Sequence, residues 1–84
     1  MLFRSDVALD QSFAAGRLDP DLPYLKREAS AVLSKPYNST AEALSSISSG
    51  LDHFYRSYYA DLYASKNASI KSGIQEIQRI YQTY

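Results

Sequence analysis

Apolar side chains recur at steps of three and four along most of this chain, the period of helices with one buried face. Four segments carry the pattern. The first, about 6–15 (DVALDQSFAA), sets Val7, Leu9 and Phe13 on a modest apolar face. Ser5 or Asp6 suits its start, because a short side-chain oxygen satisfies the free amides of a first turn. Gly16 suits its end, where a left-handed residue costs glycine little. The second, about 22–34, sets Leu22, Leu25, Ala29, Val32 and Leu33 on one stripe, with Lys26, Arg27, Ser30 and Ser34 mostly off it. Asp21 is placed to cap this helix and Pro23 falls in its first turn. Pro36 stops it by restricting Lys35 and lacking an amide.

The third segment, about 40–64, opens with Ser39 and Glu42 at capping-box spacing. Leu44, Ile47, Leu51, Phe54, Tyr58 and Leu62 then form a continuous stripe. Gly50 inside it costs about 1 kcal/mol relative to alanine and suits close approach of another helix. SKNAS (65–69) reads as a turn. The fourth segment, about 69–83, carries Ile70, Ile74, Ile77, Tyr81 and Tyr84, supported by Ile80. No proline follows Pro36, so one unbroken helix over about 40–84, on the order of 65 Å long, is the alternative. A chain that folds back at 65–69 buries its own faces more readily. No strand pattern is present. The expectation is an all-α fold, an up-down helical bundle of the four-helix-bundle type with a short or divergent first helix, in a single domain over 1–84.

Charge narrows the partners. Nine basic and nine acidic side chains leave no net charge, which argues against the phosphate contacts of a nucleic-acid binder. Residues 1–21 carry two basic and four acidic groups, and 22–84 seven and five. That weak dipole serves steering at most. The chain has no cysteine, which excludes disulfides, zinc-finger spacing and thiol chemistry. No apolar run approaches the ~18 residues of a membrane span. Met1-Leu2-Phe3-Arg4 is too short for a signal peptide, and Asp6 and Asp10 are ill suited to one. Either the protein stays where it is made or the numbering begins after a removed presequence.

Candidate chemistry is sparse. His53 is the only histidine, and its neighbour Asp52 does not face it on a helix. It reads as a surface or bundle-edge residue. One histidine with scattered carboxylates is too few for a metal site. Asp19 and Asp21 around Pro20 resemble a turn-and-cap pair more than a calcium loop. The three glycines are isolated, so no phosphate loop is present. Asn38-Ser39-Thr40 and Asn67-Ala68-Ser69 match the glycosylation acceptor pattern, which arises often by chance. The chain therefore reads as non-enzymatic, with no directly bound cofactor or metal and no small-molecule substrate.

The tyrosines say more. Tyr55, Tyr59 and Tyr63 lie four apart beside Phe54, Tyr58 and Leu62, a broad aromatic wall on the second half of the third helix. A core face with hydroxyls reaching water accounts for much of it. The excess over a single stripe also suits a docking surface, where tyrosine buries area and keeps a polar tip.

Two runs carry a family resemblance. Pro23-Tyr24-Leu25-Lys26 followed by Val32-Leu33-Ser34-Lys35-Pro36 resembles the second-helix region of the PsbQ family. Leu44-Ser45-Ser46-Ile47 with Leu51-Asp52-His53 resembles that family's third helix. The isoleucine-rich last helix is similar in placement. The region before residue 22 has no clear match, the second helix is shorter than in plant members, and the tyrosine wall departs from the family's small-residue face. A divergent algal member fits these departures better than a plant one. The resemblance implies a non-catalytic extrinsic subunit, peripheral to the thylakoid membrane in the lumen of an algal plastid. Its partners would be the photosystem II core and the other extrinsic subunits. It would stabilise the oxygen-evolving complex by retaining calcium and chloride and shielding the manganese cluster. Lys26, Arg27, Lys35, Tyr37, Tyr55, Arg56 and Tyr59 are the partner-contact candidates. The alternatives are a lumenal photosystem assembly factor of the Psb27 type, and a self-associating helical protein unrelated to photosynthesis.

Overall fold

The computed structural model describes residues 4–83, with side chains from Val7 onward. Ser5 and Asp6 lie inside the first helix and not at its N-cap, which corrects the expected start; Tyr84, at the end of the last stripe, lies outside the described residues. Five helices follow one another: α1 (Arg4–Ala14), α2 (Leu25–Ser34), α3 (Thr40–Tyr58), α4 (Ala60–Ser65) and α5 (Asn67–Thr83). The described residues contain no strand, so the fold is all-α.

Local chemistry sets most of the boundaries. Gly16 ends α1 with φ 77°. The Gly16 amide donates to the Phe13 carbonyl (3.2 Å) and the Arg17 amide to the Ser12 carbonyl (2.9 Å), the paired bonds of a Schellman motif. Asp21 does not cap α2. The Asp19 carboxylate instead accepts from the Asp21 amide (2.9 Å), and α2 starts three residues later than its stripe suggests. Tyr24 stands at its N-cap with φ 59° and no side-chain cap bond. Ser39 caps α3 as its spacing predicts, its hydroxyl accepting from the Glu42 amide (3.1 Å). The Glu42 carboxylate reaches back to the Asn38 amide (3.3 Å).

The expected helix over 40–64 breaks at Tyr59 (φ −138°, ψ 51°). No glycine or proline causes the break. It brings the Tyr59 ring against those of Tyr24, Phe54 and Tyr55, with centroids at 6.3, 5.7 and 6.1 Å. A second interruption at Lys66 separates α4 from α5. The 65–69 turn is thus one residue wide, and the unbroken rod over 40–84 does not form.

The core joins Ala8 and Leu9 of α1, Leu25, Ala29 and Val32 of α2, Ile47, Leu51 and Tyr55 of α3, and Ile70, Ile74, Ile77 and Ile80 of α5. Leu18 and Leu22 pin the α1–α2 connection into it. Two faces are rotated from expectation. On α1, Ala8, Leu9 and Ser12 point inward while Val7 is exposed. On α3, Ala43, Ile47, Leu51 and Tyr55 form the buried row, and Tyr58 is 73% exposed. Gly50 is exposed with open space where a Cβ would sit, so it admits no neighbouring helix. The close approach is at Gly73 of α5, where a Cβ would lie 3.7 Å from Leu18 and 3.9 Å from Leu25. The radius of gyration, 12.1 Å, matches the roughly 12 Å of a compact chain this long.

Candidate partner-docking surface

Polar links tie the helices together, one of them buried. Ser12, 2% exposed, donates to the Glu76 carboxylate at 2.6 Å and joins α1 to α5. Glu76 also holds the Arg79 guanidinium. The bond from Arg79 first, then that from Ser12, brings its carboxyl down to about 2, against the opposing effect of burial. Lys66, in the α4–α5 break, bridges Asp19 at 3.0 Å and Asp21 at 3.7 Å. The Asp21 amide and then Lys66 hold the Asp19 carboxyl below its ordinary value.

The aromatic wall divides into a core part and an exposed part. Tyr55 is core, 1% exposed, with its hydroxyl donating to the Pro23 carbonyl at 2.8 Å. Burial pushes its phenol up to about 12. Tyr63 donates to Asp52 at 2.7 Å and lies under the Arg56 guanidinium, 5.0 Å from the ring centroid. The exposed part gathers where α2 begins and α3 ends. Phe54 packs edge-on to Tyr24 (6.4 Å, 89°) and tilted on Tyr58 (5.4 Å, 45°). Arg27 lies over the Tyr24 ring at 5.9 Å. These residues, with Glu28 and Tyr59, line an open hollow of 280 Å³. Partial burial, then the neighbouring Tyr24, push the Tyr59 phenol up.

Of the seven residues expected at a contact, only Arg27 and Tyr59 line this hollow. Lys26 is beside it on α2, paired with Asp10 at 2.7 Å. Arg56 is engaged with Asp52 at 3.0 Å. Lys35 and Tyr37 lie past the other end of α2, where Tyr37 donates to the Val32 carbonyl (3.2 Å) and packs on Tyr81. Tyr55 presents no surface. Tyr24 and Tyr58, which also line the hollow, were not among the seven. A finer count of the α3 face, with the buried row passing through Ala43, separates Tyr58 from Tyr55. Nothing in the sequence marks the left-handed Tyr24. His53 is exposed, its Nε2 3.4 Å from the Ser57 hydroxyl. Among the described residues, no group of three or more His, Cys, Asp or Glu could hold a metal, and no helix is long and apolar enough to cross a membrane.

No family model matches the sequence, and no solved structure matches it. The chain is similar to a cytochrome c-type protein. It is 30% identical over 81 residues to the cytochrome c-type protein ImcH of Geobacter sulfurreducens, across 95% of this chain and 16% of that protein. The chain thus spans about one sixth of the length of the curated relative it matches.

This similarity overturns the photosynthetic reading. It runs through nearly the whole chain to a bacterial cytochrome c-type protein, not to the PsbQ family. The extrinsic photosystem II role, with calcium and chloride retention and manganese shielding, is therefore corrected, and so is the thylakoid-lumen location. The lumenal assembly factor and the unrelated self-associating protein fit this similarity no better. The motifs misled for a physical reason. Leu25, Ile47 and Leu51 are core positions, Asp52 holds Arg56 and Pro36 follows a helix end. Any amphipathic helix with a proline stop produces such runs.

Proposed function

We propose that this chain is a haem-free helical module of a c-type cytochrome system. It gives a haem-bearing polypeptide a folded surface to pack on and carries no redox centre of its own. The observation behind this reading is the alignment of 95% of the chain with one stretch of a cytochrome c-type protein. The chain has no cysteine, whereas covalent c-type attachment uses a Cys-x-x-Cys-His run. The finer fold is an up-down bundle in a single domain, a reading supported by the one core that α1, α2, α3 and α5 share. The module is non-enzymatic and binds no cofactor directly, and its partner is protein, not nucleic acid.

Exchange of the aligned stretch tests this. In the full-length Geobacter relative, the stretch is replaced by this chain or deleted, and haem per polypeptide is measured. The exchange is expected to keep the parent's haem content and the deletion to lose much of it. An exchange as depleted as the deletion, or a deletion as full as the parent, contradicts the proposal.

A further inference from the structure

We infer that α4 is a hinged strap, closed by a salt-sensitive latch at Lys66, that opens as a unit while the shared core stays folded. α1, α2, α3 and α5 each give side chains to that core, whereas α4 has no buried residue. Only Leu62 and Tyr63 pack against the core, and they do so partly. Detaching α4 therefore exposes far less apolar surface than detaching α3 or α5. Its six residues are too few to stay helical alone in water, so α4 keeps its form only while it is docked.

The backbone supplies two hinges. Tyr59 (φ −138°, ψ 51°) and Lys66 (φ −117°, ψ 32°) leave the helical region on either side of α4. Rotation at two such residues swings a segment away without unwinding the helices it joins.

The tethers are polar. The Tyr63 hydroxyl donates to Asp52 at 2.7 Å and accepts from Arg56 at 3.3 Å, both on α3. Lys66 reaches farther, to Asp19 at 3.0 Å and Asp21 at 3.7 Å in the α1–α2 connection. One hinge residue is thus also the latch. The Lys66 side chain is 34% exposed and that of Asp21 80%, so solvent and ions reach the bridge. Salt screens such charges, whereas the apolar burial that holds α3 on α5 carries no charge to screen. The latch and the core therefore answer to different conditions, and the segment between the hinges belongs to the low-stability end of the molecule.

Amide hydrogen exchange of the chain, followed by NMR, reads the strap. The Tyr63 amide donates to the Tyr59 carbonyl inside it, and the Leu51 and Ile77 amides report the core. Tyr63 is expected to be protected far less than Leu51 and Ile77, and to depend little on dilute urea, as a small local opening does. Its protection should fall severalfold between about 0.01 M and about 1 M sodium chloride, where charges are screened beyond roughly 30 Å and 3 Å. Lys66→Gln should lower it roughly fivefold at low salt, the upper range of an exposed ion pair, and remove most of the salt effect. Lys26→Gln, which breaks the pair with Asp10, should leave Tyr63 unchanged. Protection of Tyr63 equal to that of Leu51 and Ile77, with the same urea slope, means that α4 opens only with the whole molecule and overturns the inference. Protection of Tyr63 that ignores salt in the unsubstituted chain also overturns it. So does a Lys66→Gln variant whose Tyr63 is as protected, or as salt-dependent, as before.

Discussion

Two side chains carry interactions that no sequence pattern could assign. Ser12 looks like a polar interruption of a weak helix, yet it is buried against Glu76 across 64 positions of sequence. Ser12→Ala removes a bond to a charged group, worth about 1.5–3 kcal/mol, and thermal unfolding should show the loss at neutral pH. Because the Glu76 carboxyl is brought down to about 2 in the folded chain, its stabilisation is complete above the ordinary value near 4.3. It fades as pH falls toward about 2. Glu76→Gln should therefore flatten the acid limb of a melting-temperature profile between those values. Tyr55 behaves in the opposite sense. Its phenol is pushed up to about 12, so its neutral form stabilises the fold fully below the ordinary value near 10, and that contribution fades as pH rises toward about 12. Absorbance titration of the tyrosinates should end on a last group, near pH 12, that Tyr55→Phe removes. The same variant should cost about 1 kcal/mol by leaving the Pro23 carbonyl without its donor.

Helices were more legible than their ends. The α5 isoleucines and the α2 stripe fall on the core as their period requires, because a long run of three- and four-residue steps averages out local exceptions. The Ser39 cap and the Gly16 terminus were equally readable, since both chemistries act within one turn. The break at Tyr59 was not, because tertiary ring packing produces it and no helix-breaking residue marks it. The glycines divide on the same principle. Gly50→Ala fills open space in a helix and should stabilise by up to about 1 kcal/mol. Gly16→Ala, at φ 77°, should destabilise by about 1 kcal/mol. Chemical denaturation of the two variants should give midpoints on opposite sides of the parent's.

For the whole molecule, sequence reasoning reached an all-α chain poor in reactive groups, and then attached it to the wrong system. The aromatic wall was visible as excess. Its division into a buried Tyr55 and an exposed Tyr58 depended on a face rotated by one position around α3. Lys35 and Tyr37 stood with Arg27 among the contact candidates, while the fold leaves them past the far end of α2. Function was the least legible level, because short amphipathic motifs are shared by unrelated helical proteins. On the proposed function, this chain can stand in for the matched stretch of a c-type cytochrome. Stopped-flow reduction of the haems in the full-length Geobacter relative, with that stretch exchanged for this chain, tests it most directly. The exchange protein should be reduced at close to the parent's rate, and the deletion far more slowly. Exchange and deletion proteins reduced at the same slow rate would contradict it.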